Sequence, residues 1–271
     1  MAYPVVSGPY GFKPVNLIGG QVFSGSTRNY PISYGYNTNI FYGDFVNLSS
    51  GYVAIVANTL ATPTVGVFLG CSYTDPVTKQ KRFSQYWPAS TLAGDAQAII
   101  CDDPDTVFKA AVVTAAGTAT IASASSLLVG ANMAGNTSTG STATGNSAGG
   151  LVAATATAGN FRILGLVEDT QIKYPATYVS GTGTTTLTVS GLSIGQVIPV
   201  GTDVYQNING QLQFTGSSVS TSAVTVSSAT SQALTVTAST ATISAANPLV
   251  FVQSQEVLAK ITFASHRYYV A

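Results

Sequence analysis

Charged residues are scarce in this sequence. Its 271 residues include 10 Lys or Arg and 10 Asp or Glu, together 7% of the chain, where soluble domains typically have about 25%. The formal net charge is zero, so nothing in the charge favours nucleic acid or an anionic membrane surface as a partner. A surface with so little charge also gives little repulsion between molecules, which favours permanent assembly.

The residues on which most catalytic and metal sites depend are also rare. There are two Cys and one His. Cys71 and Cys101 are too few for a disulfide framework and lack CxxC spacing, and because each ends an apolar run we predict two buried thiols. His266 has no second His beside it, so an interface or strand-end position suits it better than catalysis. No GxSxG, HExxH, P-loop or dinucleotide-binding motif occurs, and we expect no enzymatic activity, cofactor or metal.

Long apolar runs are missing as well. No window approaches the roughly 18 consecutive apolar residues of a membrane-spanning helix, and we expect no membrane partner. The N-terminal segment, MAYPVVSGPYGFKPVNLIGG, lacks a basic start followed by an apolar core, and prolines interrupt it. We therefore expect no signal peptide and synthesis in the cytoplasm.

The most informative stretch is Thr64–Ala110, which contains both cysteines and the only Trp. Two strand-like runs, Val65–Cys71 and Ala96–Cys101, flank a polar turn and an aromatic, basic segment. Glycines alternate with larger residues in the first run, which predicts that another backbone lies close against one face of this strand.

An acidic turn follows the second run. Asp102, Asp103 and Asp105 could ligate Ca²⁺, but the twelve-residue loop with a terminal Glu is missing, so a solvated or salt-bridged turn is the better interpretation. The expected ion-pair partners are the nearby cations Lys79, Lys81 and Arg82.

The distribution of apolar and charged residues predicts an all-β fold with three parts. Residues 1–20, rich in Pro and Gly, read as an extended N-terminal arm lying along its own domain or a neighbouring subunit. Residues 21–173 and 254–271 form the core β domain, which has long irregular loops. Residues 174–253 form a small β-sandwich or barrel module inserted into that domain, because charge almost disappears there and returns afterwards.

The inserted module should contain six short strands between Thr184 and Ser244, separated by glycine turns. Asn209-Gly210 is the clearest signal, because this dipeptide favours a two-residue β-hairpin turn.

Aromatic and basic side chains outside the module are candidates for a subunit interface, although Trp87 and its neighbours would equally suit packing inside a barrel. The basic residues of the KQKRFSQYW segment are too few for a single-stranded nucleic-acid site. The candidate interface residues are Tyr3, Pro4, Tyr10, Phe12, Arg28, Lys81, Arg82, Phe83, Trp87, His266 and Arg267.

Several segments carry a resemblance to a known family. YPVVSGPYGFKPVNLIGGQVFSGSTRNYPI, GVFLGCSYTDPVTKQKRFSQYWPA, GDAQAIICDDPDTVF and FRILGLV together resemble virion proteins from tailed phages of marine bacteria and cyanobacteria. A GD-x-V strand, Gly43–Val46, followed by a GV-x-L-G strand, Gly66–Gly70, is more distantly similar to small β-barrel capsid cement proteins. The similarity covers about the first 173 residues and the final strand, while the inserted module departs from the shorter members.

The resemblance implies a β-barrel-like fold for the core domain, residues 21–173 and 254–271. It also implies a decoration or cement protein, commonly trimeric, on the outside of a phage capsid. Its partners would be the major capsid protein and other copies of the same chain, and it would stabilise the shell by bridging neighbouring capsomers. On this interpretation the arm, Ala2–Gly20, would clamp an adjacent subunit or the shell. The alternative is a head fibre or tail-associated adhesin whose inserted module binds host surface glycans.

Overall fold

The computed structural model describes residues 6–56, 63–137, 139–153, 159–181, 185–220, 222–237, 243–262 and 264–268. Within these residues the all-β prediction is confirmed, with a nearly closed, barrel-like sheet and several further sheets. The only helices in this part of the chain are two single turns of 3-10 helix, and neither could cross a lipid bilayer.

The strands of the first part of the chain are β1 (Phe12–Leu17), β2 (Arg28–Pro31), β3 (Phe45–Ser49), β4 (Tyr52–Ile55), β5 (Gly66–Thr74), β6 (Lys81–Ser84), β7 (Gln97–Cys101) and β8 (Thr106–Val113). After a 3-10 helix (Ser126–Leu128) come β9 (Asn132–Met133), β10 (Gly135–Asn136), β11 (Gly150–Val152) and β12 (Phe161–Leu166). A second 3-10 helix (Glu168–Thr170) precedes β13 (Ile172–Ser180), β14 (Thr186–Ser190), β15 (Val197–Ile198), β16 (Asp203–Ile208), β17 (Gln211–Ser218), β18 (Val224–Thr225), β19 (Gln232–Thr235), β20 (Leu249–Gln253) and β21 (Glu256–Ile261).

The chain divides into two compact units. The described residues of the larger unit fall within Ser7–Ile121, Gly130–Gly165 and Val257–Ala271, and the rest of the described chain belongs to the smaller unit. In the larger unit a seven-stranded sheet has the order β10-β11-β8-β21-β12-β9, with β1 on β8. A six-stranded sheet has the order β2-β7-β5-β3-β4, with β6 on β5.

The first of these sheets contains part of the predicted N-terminal arm. β1 pairs antiparallel with β8, from Phe12 opposite Ala110 to Leu17 opposite Thr106. The Phe12 ring is fully buried and stacks on Phe161 at 4.3 Å. Residues 12–17 therefore lie along their own domain, and the hypothesis that this part of the arm clamps a neighbour is wrong.

The smaller unit has its own sheet and its own core. Its strands follow the order β17-β16-β20-β13-β14-β19, with β15 and β18 forming a separate pair. Leu187, Val189, Leu234 and Phe251 are among the buried residues between them. Five of the six strands predicted for the module correspond to β14, β15, β17, β18 and β19. The sixth, Ala241–Ser244, begins at residues outside the described part of the chain.

The described residues of the smaller unit fall within Met1–Val6, Ala122–Val129 and Leu166–Glu256. Residues 122–129, 166–173 and 254–256 of this unit were predicted to belong to the core domain. Asp203 holds the first of these three segments, because its carboxylate accepts hydrogen bonds from the Ser125 hydroxyl at 2.6 Å, the Ser126 amide at 2.7 Å and the Ser126 hydroxyl at 2.6 Å. Burial raises the pKa of Asp203, and these donors oppose that shift.

The predicted Asn209-Gly210 hairpin is confirmed. Ile208 and Gln211 are paired across it, joining β16 to β17. Both turn residues have positive φ, 51° at Asn209 and 87° at Gly210, as a type I′ turn requires. The dipeptide therefore sets the register of the longest hairpin in this unit.

Candidate interaction surface

Three of the candidate interface residues are buried and cannot contact a partner in the folded protein. Phe12, Trp87 and His266 each have 0% of their surface exposed. The Trp87 indole donates a 3.3 Å hydrogen bond to the carbonyl of Tyr36 and lies edge-on to Tyr73. These three predictions are wrong. Residues of these types are common both at interfaces and in cores, and here tertiary packing places all three in the core.

His266 was expected at an interface or at the end of a strand, and it lies among the turns that follow β21. Its backbone forms an isolated bridge with Thr64, and its ring packs against Tyr268 at 4.8 Å. Burial lowers the pKa of His266, while the neighbouring Asp102 opposes that shift. The histidine is thus a core residue of the larger unit.

The remaining candidates lie at several places on the surface. Arg28, Lys81, Arg82, Phe83 and Arg267 are exposed, and Tyr10 is half-buried. Tyr3 and Pro4 lie outside the described residues.

Arg28 belongs to a polar cluster around the acidic turn. Asp102 is only 3% exposed and accepts hydrogen bonds from the hydroxyls of Tyr30 and Tyr268, with Arg28 Nε at 3.4 Å. Burial is the main cause that raises the pKa of Tyr268, and Asp102 raises it further. The two tyrosines were not predicted, since Tyr268 lies 166 positions from Asp102.

The predicted ion pairs of the acidic turn with Lys81 and Arg82 are also wrong. Lys81 and Arg82 pair with Asp95 and Asp75 instead. The turn follows Cys101, which pairs with Val67 near the start of β5, whereas Lys81 pairs with Thr74 at the end of β5. The two groups therefore lie at opposite ends of the sheet. No group of three or more potential metal ligands occurs among the described residues.

Both cysteines are free and buried, as predicted. Burial raises the pKa of the Cys71 thiol to about 12 and that of Cys101 to about 11. Because the thiolate is the nucleophilic form, neither sulfur is activated for chemistry at neutral pH.

Asp44 is a buried carboxyl that the sequence analysis did not identify as a special group. It is 1% exposed and accepts hydrogen bonds from Ser147 Oγ at 2.5 Å and from the Phe41 amide at 2.8 Å. Burial raises its pKa from 3.8 to about 6, although both donors oppose that shift. The carboxyl ties the segment before β3 to Ser147, so its role here is structural.

This raised pKa predicts a pH-dependent stability. Between pH 4 and 6 the folded protein holds a proton on Asp44 that the unfolded chain releases, so the unfolding free energy of the larger unit should fall by about 2–3 kcal/mol as the pH rises through this range. Asp44→Asn keeps an acceptor oxygen but does not titrate, and should remove that slope. Unfolding by denaturant, followed by Trp87 fluorescence at several pH values, measures it. The exposed control Asp169→Asn should keep the slope; equal slopes in all three proteins would contradict the prediction.

The exposed part of the aromatic, basic segment is organised by two carboxylates. Asp75 Oδ1 accepts from the amides of Val77 at 2.8 Å and Thr78 at 3.1 Å, and Arg82 donates to its other oxygen at 2.9 Å. The Thr78 and Val77 amides, followed by Arg82, lower the pKa of Asp75. The turn between β5 and β6 is therefore fixed by local hydrogen bonds.

Asp95 joins the loop before β7 to the same hairpin. It accepts from the Thr74 amide at 2.9 Å, the Thr74 hydroxyl at 2.7 Å and Lys81 Nζ at 2.9 Å. The Thr74 amide, followed by Lys81, holds the pKa of Asp95 well below its usual range. Its carboxylate is thus ionised at physiological pH and bridges two segments of the surface.

Large apolar side chains are exposed at this end of the sheet. Val77 is 86% exposed and Phe83 80%, while Tyr34 and Leu92 are 64% and 55% exposed. We call these four residues the hairpin-end surface.

The strand register brings the members of the hairpin-end surface to the same end of the sheet. β2 ends where Pro31 pairs with Gln97, the first residue of β7, and Gln97 also pairs with Ser72 near the end of β5. Tyr34 follows β2, Leu92 precedes β7, and Val77 follows β5. Phe83 lies on β6, which pairs with β5 alone among the described strands.

A cleft of about 470 Å³ lies beside Phe83, with Tyr42, Leu69 and Ile99 among its lining residues. Exposed apolar groups at one end of a sheet, one of them on an edge strand beside a cleft, are typical of protein-binding sites. No protein-family model matches the chain, and no curated protein is significantly similar to it.

Proposed function

We propose that this protein is a capsid decoration protein that binds the outside of a tailed-phage capsid through the hairpin-end surface and stabilises the shell. The observation that carries the proposal is the exposure of Val77, Phe83 and Leu92 on segments held in place by Asp75 and Asp95, with exposed Tyr34 at the same end of the sheet. A surface whose shape is already fixed loses little conformational entropy when it binds. The resemblance to virion proteins supplies the partner, the major capsid protein.

The composition supports permanent assembly over transient binding. With 7% charged residues, the chain generates little electrostatic repulsion between molecules, and the charges beside the hairpin-end surface are already paired, Arg82 with Asp75 and Lys81 with Asp95. The buried, protonated thiols of Cys71 and Cys101 and the structural carboxyl of Asp44 are compatible with a protein that functions by binding a partner. The smaller unit would be an added domain exposed on the virion, and the protein would act as a homotrimer.

A capsid-binding assay tests the proposal. Full-length protein is mixed with capsids of the source phage that lack it, and binding is measured by co-sedimentation at increasing protein concentration. The double variant Val77→Ser/Phe83→Ser should bind at least about tenfold more weakly, because truncating buried interface anchors typically costs 2 kcal/mol or more. Tyr52→Ser is the matched control: Tyr52 is 46% exposed on β4, at the opposite end of the same sheet, and this variant should bind normally.

Two results would contradict the proposal. Wild-type protein that does not bind capsids excludes decoration, and a double variant that binds like wild type excludes the hairpin-end surface. Electron microscopy of virions that carry labelled protein distinguishes decoration from the alternative function. Decoration predicts label over the whole head, whereas a head fibre predicts label at one vertex.

A further inference from the structure

Two neighbouring clefts of the larger unit differ in chemical character from the hairpin-end surface. Their volumes are about 310 and 330 Å³, and Thr139 lines both of them. Each volume is at the lower end of the range, about 300–1,000 Å³, for pockets that bind small molecules. Because the two clefts share a wall, a ligand longer than one cleft can extend past Thr139 into the other.

The lining of both clefts is polar but uncharged. None of the described lining residues is Asp, Glu, Lys, Arg or His. An ionic ligand would lose hydration here without gaining an opposite charge, so the lining favours a neutral ligand. The side chains that contribute hydroxyl or amide groups include Thr38, Asn39, Thr139, Ser141, Thr144 and Asn146.

The wall of the second cleft is held in place before any ligand binds. The Ser141 amide donates to the Asn146 carbonyl at 2.9 Å, and the Gly145 amide donates to the Ser141 carbonyl at 2.7 Å. Tyr42 joins this loop to the rest of the unit, because its amide donates to the Gly145 carbonyl and its carbonyl accepts from the Ser147 amide, both at 2.9 Å. A cleft whose shape is already fixed loses little conformational entropy on binding.

Three polar groups are available to a ligand, one in each cleft and one on the shared wall. Asn39 Oδ1 accepts from the Ala89 amide at 2.7 Å, which leaves Asn39 Nδ2 as a donor without a partner among the described residues. Asn146 in the second cleft is oriented in the same way, because its Oδ1 accepts from Gln85 Nε2 at 2.7 Å. The shared wall adds the hydroxyl of Thr139, which is exposed.

We propose that the two clefts together bind a neutral oligosaccharide. Sugar hydroxyls both donate and accept hydrogen bonds, so they match the amide donors of Asn39 and Asn146 and the hydroxyl of Thr139. The apolar C–H faces of the sugar rings lie against half-buried Ile55 in the first cleft and half-buried Tyr10 in the second. Thr139 is then at the junction between two sugar rings.

Isothermal titration calorimetry of the full-length protein with trisaccharides tests this proposal. The neutral probes are maltotriose, cellotriose and mannotriose, which differ in linkage or ring stereochemistry, and the charged probe is trigalacturonate, which has a carboxylate on every ring. At least one neutral trisaccharide should bind saturably. Trigalacturonate should bind at least about tenfold more weakly, because its carboxylates would be desolvated without an opposite charge.

The double variant Thr139→Val/Asn146→Ala removes one hydroxyl and one amide from the lining. It should weaken binding of the neutral trisaccharide at least about tenfold, which is about 1.4 kcal/mol. Thr78→Val/Asn29→Ala is the matched control, because it makes the same two substitutions at exposed residues outside the lining of both clefts. This control should bind like wild type.

Three results would overturn the proposal. They are failure of all three neutral trisaccharides to bind saturably, binding of trigalacturonate as tight as that of the neutral probes, and equal affinity of the cleft variant and its control. The Trp87-detected unfolding curve of each variant verifies that it is folded.

Discussion

Phe12→Ala should lower the unfolding free energy of the larger unit by about 3–5 kcal/mol, the range for truncating a fully buried phenylalanine. The ring stacks on Phe161 at 4.3 Å, and both rings meet Phe45 edge-on at 5.6 and 5.5 Å. Removal leaves a cavity where β1, β3 and β12 meet. Chemical denaturation followed by Trp87 fluorescence measures the effect, because the chain's single Trp lies in this unit.

The matched control for this variant is Val22→Ala. Val22 comes from the same N-terminal region but is 77% exposed, so the substitution should change the unfolding free energy by no more than about 0.5 kcal/mol. A loss of less than about 1 kcal/mol in Phe12→Ala would show that β1 is not part of the core. In that case the N-terminal segment would again be available to clamp a neighbour.

The same contacts change how a deletion of Ala2–Gly20 is interpreted. Because the deletion removes β1 and Phe12, it should destabilise the larger unit as well as remove any arm. Loss of capsid binding after this deletion would therefore not identify the arm as a contact. Substitutions in the hairpin-end surface avoid this problem, since their side chains are exposed.

Local patterns predicted those parts of the fold that depend on neighbouring residues. Apolar runs indicated β5 and β7, and Asn209-Gly210 indicated its hairpin, because strand propensity and positive φ are properties of short segments. β13, β16 and β20 were missed, and all three are interior strands of the sheet of the smaller unit. Such strands are recognised by their partners: Tyr174 of β13 pairs with Phe251, far along the chain.

The candidate surface also shows that local sequence patterns do not reveal which residues tertiary contacts bury. The KQKRFSQYW segment, Lys79–Trp87, was identified from its aromatic and basic residues, and the structure separates it into exposed Phe83 and buried Trp87. Nothing in the two residue types distinguishes them. The difference arises because Phe83 lies on the edge strand β6, whereas Trp87 forms a bridge with Ile40 that draws it into the core.

Gly66→Ala should lower the unfolding free energy of the larger unit by about 3 kcal/mol or more. A Cβ atom at this position would lie 2.1 Å from the carbonyl oxygen of Cys101, which confirms the close backbone approach predicted from the alternating glycines. That oxygen belongs to β7, and the adjacent Val67 pairs with Cys101. Relief of the clash requires the two strands to separate, so the loss should reach or exceed the usual 1–3 kcal/mol of overpacking.

Gly94→Ala distinguishes this steric effect from the general effect of adding a methyl group. A Cβ atom at Gly94 would have no neighbour within 4 Å, so the variant should be as stable as wild type or slightly more stable. Trp87-detected denaturation compares the two variants directly. If both had wild-type stability, β5 and β7 would not approach each other this closely. The sheet that positions the hairpin-end surface would then need a different register, and Phe83, Val77 and Leu92 would lose their common location.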